Sequence, residues 1–409
     1  MGRVILTNVG VLDGDAPRRA DQVVVIDGAR IVAVGDAAPA EVTPDDQVLD
    51  LGGRTVMPGM VTGHYHSTYR ELGSKPAPYG LEHPPAYQAV IAAENLRTAL
   101  DCGFTGAVGA GCSNDIDASM ARAIDDGLIP GPRFVPSGHE LSTTGHANDG
   151  TPWYWDVREW GAARICDGPE QFRLAVRDEI KRGVRMIKLF VTGGHGTTAP
   201  KEQLEMTRDE LEAVVQSAHA RGARVRGHIV NREAILMALD AGVDVIDHAD
   251  EMDEECIERI VAQDAFVVPS CYFPTAFLEL MGGHGLGFTD SMRTELERVL
   301  EVLPKANAAG VKLVLGDDYG AMGFPHGQYA HELEVYVRDA GIAPLDVLRW
   351  ATVHGAELMG RGHELGRIAP GYLADLLVVD GDPSRDITVL QPRDNLVGIM
   401  KDGAWHKEP

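Results

Sequence analysis

Residues 55–66, TVMPGMVTGHYH, form an apolar run rich in β-branched side chains that ends in two histidines one residue apart. Successive strand side chains point to opposite faces, so His64 and His66 share a face and Tyr65 takes the other. Two imidazoles on one side of a strand end can chelate a transition metal such as zinc. A bare His-x-His pair among 15 histidines also fits two surface residues in a turn. Lys188 adds a second chemical option. It lies inside the apolar run Met186-Ile-Lys-Leu-Phe-Val191, and in a strand buried on both faces an unpaired ammonium is costly. Desolvation favours the uncharged amine. Such an amine can take up carbon dioxide and become a carbamate, an anion whose two oxygens suit two cations. His228, His248 and Asp318 each end a further strand-like run. Taken singly, each histidine reads as a hydrogen-bonded structural residue and Asp318 as a helix cap. Taken together at five strand ends they point to a metal site.

The elements that must position these groups alternate. After the His-x-His strand, strand-like runs fall at 103–111, 132–138, 186–194, 224–230, 243–250, 265–271 and 311–319, making eight. Helix signals lie between them. Thr207-Arg-Asp-Glu210 is a capping box and Gly222 suits the C′ position of that helix. Asn231 suits the cap of the next helix, and Pro344 opens a late one. Eight β/α units over about 300 residues predict an α/β fold, a (β/α)8 TIM barrel over residues 58–359, with its active site at the strand C-termini. An open doubly wound sheet is the competing architecture, but no glycine-rich nucleotide fingerprint follows the first strand. Residues 1–57 carry short strand runs at 4–6, 23–26, 30–34 and 48–51, with Asp27-Gly28 a hairpin signal. Residues 360–409 have the same texture at 374–380 and 396–400, with a tight turn at 401–403. Neither end is large enough for a core of its own, so the two are expected to pair into one small β-sandwich.

Composition narrows the function. Of 409 residues, 44% are hydrophobic and 24% charged, ordinary for a soluble enzyme. The net charge of −24 argues against nucleic acid and anionic membranes as partners. No apolar run approaches the length that spans a bilayer. The opening MGRVILTNVGVLDGD lacks the features of a secretory signal. Five cysteines at irregular spacing, with no Cys-x-x-Cys, read as reduced thiols. The expectation is a cytoplasmic enzyme, homo-oligomeric, acting on a small molecule.

These motifs resemble the amidohydrolase superfamily of metal-dependent hydrolases, over nearly the whole chain. Pro58-Gly-Met-Val-Thr-Gly-His64-Tyr-His66 is similar to its first-strand motif, and Ile187-Lys188 with Thr192-Gly-Gly194 to its fourth. His228 and Ala241-Gly-Val-Asp-Val-Ile-Asp-His248 match strands five and six. Gly316-Asp317-Asp318 stands where the family has Gly-Thr-Asp or Gly-Ser-Asp, so Asp318 is the matching aspartate. Gly371-Tyr-Leu-Ala-Asp-Leu-Leu-Val-Val-Asp380 is similar to the C-terminal sandwich strand. The resemblance implies a binuclear centre, most often zinc. It implies that His64, His66 and Asp318 hold the inner ion, that His228 and His248 hold the outer one, and that carboxylated Lys188 bridges them. Asp318 would also be the catalytic acid–base group. Leu141-Ser-Thr-Thr-Gly-His146, Pro325-His-Gly327 and Glu332-Leu333 resemble one branch. That branch holds Xaa-Pro dipeptidases, arginine or lysine carboxypeptidases, ochratoxin-type amide hydrolases and imidazolonepropionase-like proteins. The likeness implies that His146 contacts the substrate carbonyl oxygen, with His139 the nearby alternative.

The departures bear on specificity. Thr62 replaces an aspartate common in that branch. Val230 stands where the branch has a tyrosine that holds a substrate carboxylate. Arg226 shares strand parity with His228, and either packs in the lower layers or faces substrate. Arg226 and Tyr65 are candidate substrate contacts. The aromatic segment 153–160 and the proline- and tyrosine-rich segment 74–87 fit either a satellite cluster under a loop or facing walls of a site. The expected reaction is hydrolysis of an amide-type C–N bond in an N-acyl amino acid, dipeptide, anilide or carbamate. A single-metal deaminase or imidazolonepropionase-like hydrolase is the enzymatic alternative. Deaminases of the superfamily carry His-x-x-Glu after strand five, where Asn231 stands here. A catalytically silent barrel scaffold is the non-enzymatic alternative, against which all six filled ligand positions weigh.

Overall fold

The structure is a computed structural model. It describes every residue except 1, 38, 40, 73, 74, 76, 150, 156, 158–160, 198, 281–286 and 322. Trp160, Ser74 and Pro76, part of the two aromatic or proline-rich segments above, lie outside the described residues.

The fold is α/β with parallel sheets. Eight strands carry the site: β1 (Met60–Tyr65), β2 (Phe104–Gly109), β3 (Arg133–Val135), β4 (Met186–Phe190), β5 (Arg224–Ile229), β6 (Val245–His248), β7 (Phe266–Val268) and β8 (Lys312–Leu313). The first three form one parallel sheet and β4 to β8 follow one another in a second. The sheets meet at two places. The Gly63 amide donates to the Leu315 carbonyl at 2.5 Å, and the amides of Arg185 and Met186 reach the Pro136 carbonyl at 3.1 and 3.2 Å. Every residue of β1, β2, β4 and β6 is buried. That accounts for their continuous apolar runs, since strands with both faces covered have no solvent side to alternate toward. The connecting helices start where the sequence marks them. Glu210 closes a capping box with Thr207, Asn231 accepts from the Ala234 amide at 2.8 Å, and Pro344 begins Pro344–Arg349.

Several strands are shorter than the sequence expectation, and three differences bear on the site. Residues 55–66 are two strands, because Thr55–Pro58 pairs antiparallel with Leu376–Val379 while β1 pairs with β2. The eighth strand is regular only over two residues. Beyond it Gly316 presses on β1: a Cβ at 316 would lie 2.2 Å from the His64 nitrogen, so only glycine fits. The third unit is also interrupted. Gly138 has a φ of 66°, and after it Glu140–Ser142 adds to the edge of β4, setting Glu140 opposite Lys188.

The two chain ends share one eight-stranded sheet. Val4–Val11, Arg19–Asp27, Arg30–Gly35, Gln47–Asp50 and Thr55–Pro58 join Leu376–Val379, Leu396–Lys401 and Ala404–Lys407. Its apolar face, with Leu6, Val24, Val56, Val378 and Met400, forms a core separate from the larger one between the parallel strands and their helices. Ala404–Lys407 was not legible as a strand, being short and without a fully buried residue. Among the described residues no helix is long and apolar enough to cross a membrane.

Candidate metal centre and active site

At the C-terminal ends of β1, β5, β6 and β8 the donor groups converge. The Nε2 atoms of His64 and His66 are 3.0 Å apart. Asp318 Oδ1 lies 3.0 Å from the first and 3.1 Å from the second. His66 Nδ1 donates to the Gly111 carbonyl at 3.0 Å, which leaves its Nε2 lone pair aimed at the cluster. The His228 and His248 rings lie 4.4 Å apart between centroids, and His64 sits 5.5 Å from His248. Burial pushes His64, His228 and His248 below the usual imidazole range, so these rings are neutral, the form that ligates. Burial alone would raise Asp318, but His64 and His66 hold it well below the usual carboxylate range. Neutral imidazoles around an ionised carboxylate, with the His248 Nδ1 buried and unpartnered, are a donor set that fits a divalent cation.

Lys188 reaches this layer from β4, and its ammonium is not unpaired. Nζ donates to Asp247 Oδ2 at 2.8 Å, both side chains being buried. Asp247 also receives the Arg226 guanidinium through both oxygens, with Nε at 3.0 Å. Arg226 is fully buried, donates through Nη1 to the carbonyls of Gly63 and Gly109 at 2.7 and 2.8 Å, and reaches His64 Nδ1 through Nη2 at 3.3 Å. It lies beneath the ligands, tying its own strand to three others, and does not line the cavity. Tyr65 is likewise away from the cavity, with its ring among Phe134, His326 and Tyr329.

Above the ligands a cavity of about 360 Å³ is lined by His66, Lys188, His228, His248 and Asp318. Phe190, Leu72, Phe273, Phe277 and Ala321 supply an apolar side, and Glu140, Asn148, Tyr69 and Tyr79 a polar one. Burial raises the Glu140 carboxyl. It accepts from Tyr69 and from Asn148, the latter at 2.7 Å. His146 Nδ1 sits 2.6 Å from Glu205, and its Nε2 is buried without a partner, beside the cavity residues Ala147 and Asn148. His139 faces another way, against Asp115 and Glu179 at 2.7 and 3.1 Å. Trp153 and Tyr154 are exposed and do not line the cavity.

Sequence reasoning missed His195, Glu140, Asp247 and the two phenylalanines. His195 had a signal, since Gly193-Gly-His-Gly196 follows β4 directly. Glu140 had none, because its place depends on the break at Gly138. Asp317 is not in the donor cluster. It accepts from the amides of Tyr272 and Phe273 at 2.8 and 2.9 Å, anchoring the helix Tyr272–Leu280 that carries both phenylalanines. Burial and the charge of Asp318 push it up to about 7.

Residues 55–405 match the sequence profile of the amidohydrolase family. The ochratoxinase of Aspergillus niger is 29% identical over 382 residues, covering 87% of this chain and 76% of the relative. A prolidase crystal structure, complexed with N-methylphosphonate-L-proline, superposes with a TM-score of 0.88 at 32% identity over the full length of both chains. A Xaa-Pro dipeptidase structure with bound methionine gives 0.89 at 27% identity, covering 99% of this chain and 100% of that one.

Proposed function

The chain belongs to the amidohydrolase family, an enzyme family of metal-dependent hydrolases acting on C–N bonds of small molecules, and on that premise we propose that it is a binuclear hydrolase of an apolar amide or carbamate. The convergence of His64, His66 and Asp318 within about 3 Å is the observation that carries this reading. We take the two parallel sheets as one closed (β/α)8 barrel over residues 58–359, supported by the hydrogen bonds at Gly63 and Pro136. Residues 1–57 and 360–409 then form the composite β domain.

In this reading His64, His66 and Asp318 would hold one zinc ion, His228 and His248 the other, and carboxylated Lys188 would serve both. Bound cations would supply a water of lowered pKa and polarise the scissile carbonyl. Asp318 would take the proton of the attacking water and return it to the leaving nitrogen. Doubly protonated, His146 would donate its Nε2–H to the substrate carbonyl oxygen while its Nδ1–H is held by Glu205. Carboxylation turns Lys188 anionic, so Arg226 becomes the cation that still neutralises Asp247. Asn231 argues against the deaminase alternative, since its side chain is used up capping a helix and donating to the Lys201 carbonyl at 2.6 Å.

The cavity supports an apolar group on the substrate. Among the described residues lining it there is no arginine, and Val230 cannot bind a carboxylate. Losing a hydrogen bond to a charged group costs roughly 1.5–3 kcal/mol, about one to two decades in kcat/KM. The test is a matched pair of aryl amides, one with a free C-terminal carboxylate and one with it amidated. The amidated member is expected to turn over at least as fast. A hundredfold preference for the free acid would identify a carboxypeptidase or dipeptidase instead.

A further inference from the structure

His195 sits in the loop after β4, with its side chain only 6% exposed. Its ring stacks on that of His248 at 3.8 Å between centroids and 20° between planes. Its Nδ1 lies 3.0 and 3.2 Å from the two oxygens of Asp250, itself buried. Its Nε2 is buried and has no hydrogen-bond partner. One ligand atom each of His195, His248 and Asp318 lie within 4.8 Å of one another. We propose that His195 is a further metal ligand, through Nε2, on the side of the centre held by His228 and His248. This rests on the binuclear reading above and adds a protein ligand to it.

The division of roles on the ring is that of His66. Nδ1 gives its proton to a fixed oxygen, here Asp250, and Nε2 would offer its lone pair to an ion once its own proton is displaced, since, against burial, Asp250 raises the ring to about 9. Metal-binding histidines show this arrangement because the outer acceptor fixes both tautomer and ring orientation. A histidine kept only for packing has no need of a buried, unsatisfied nitrogen. The backbone supports the same conclusion. His195 has a φ of 43°, His248 of 72° and Ala249 of 55°, all in the left-handed region that non-glycine residues seldom occupy. Backbone strain of this sort gathers at functional sites. Here the ring from the loop after β4 lies face to face with that of the last residue of β6 at the cavity wall. Gly194 and Gly196, at φ of 87° and 86°, let the loop turn tightly enough to do so.

The experiment compares the full-length wild type with H195A and D250N, all reconstituted with zinc and bicarbonate. Zinc affinity is read by competition with a chromophoric chelator, and imidazole coordination by zinc-edge X-ray absorption. H195A is expected to hold one of its ions at least tenfold more weakly and to show less imidazole scattering per zinc. D250N keeps the ring but frees its orientation, and is expected to weaken the same ion by about tenfold. Circular dichroism verifies the fold of each variant, and D250N carries the test should H195A fail to fold. Unchanged zinc affinity and scattering in the variants would overturn the proposal, whatever happens to turnover. A wild type that binds no zinc would overturn the metal centre itself, an outcome read from the wild type alone.

Discussion

Two layers of the interior between the parallel strands are built from similar polar residues, yet they are wired differently. In the lower layer every charged group found is answered. Asp247 holds Arg226 and Lys188, Glu332 accepts from the Gly316 amide and the Tyr336 hydroxyl, and Asp317 accepts three backbone amides. In the upper layer nitrogens are left over: His195 Nε2, His146 Nε2 and His248 Nδ1 are buried without partners. Burial of an unsatisfied polar group is costly. Such atoms also occur elsewhere, at Tyr65 Oη, Ser217 Oγ and Trp405 Nε1, but three ring nitrogens gather only beside this cavity among the described residues. On the reading proposed above, the satisfied layer is scaffold and the layer with unpartnered nitrogens is the site, Lys188 reaching from one to the other.

The comparison breaks most visibly at neighbouring aspartates. Asp318→Asn is expected to lower kcat by about 10²–10⁴-fold while retaining most of the metal, because an amide still ligates but cannot carry a proton. Asp317→Asn is expected to act mainly through the Tyr272–Leu280 helix, with a smaller loss. Steady-state kinetics on both variants decide this, and a larger loss at 317 would exchange their layers.

Arg226 tests the lower layer. Removing one partner of a buried ion pair costs roughly 3–5 kcal/mol, so Arg226→Met is expected to unfold at markedly lower denaturant. Should it keep wild-type stability and lose only substrate affinity, Arg226 belongs to the substrate site after all.

A smaller effect is expected outside both layers, at His139. Burial works against its charged ring, yet Asp115 and Glu179 raise it from 6.5 to about 9. A raised folded-state value stabilises fully below pH 6.5 and is lost as pH climbs through 9, at most roughly 3 kcal/mol. Melting curves from pH 6 to 9.5 are expected to show that decline in the wild type and a flatter profile in His139→Gln.

Sequence and structure agree where chemistry is written in strand periodicity. His64 and His66 fall on one face because the strand alternates, and the capping box and Asn231 cap are local devices that need no tertiary context. What stayed hidden depends on contacts distant in sequence. Arg226 and His228 share parity, and only the carbonyls of Gly63 and Gly109 decide that Arg226 lies below. Lys188 reads as an unpaired ammonium until Asp247, from two strands away, is in view. His195 follows a glycine run whose course is set by Asp250 and the ring of His248. The second phenylalanine wall depends on Asp317 anchoring a helix from another β/α unit.

The measurement that reaches the central claim most directly is the metal content of active enzyme. Apo-protein reconstituted with zinc and bicarbonate is expected to hold close to two equivalents per chain by plasma emission. It should lose the second equivalent in Lys188→Ala and show a carbamate carbon signal with ¹³C-bicarbonate. A fully active enzyme that holds a single equivalent and shows no carbamate signal would contradict the account.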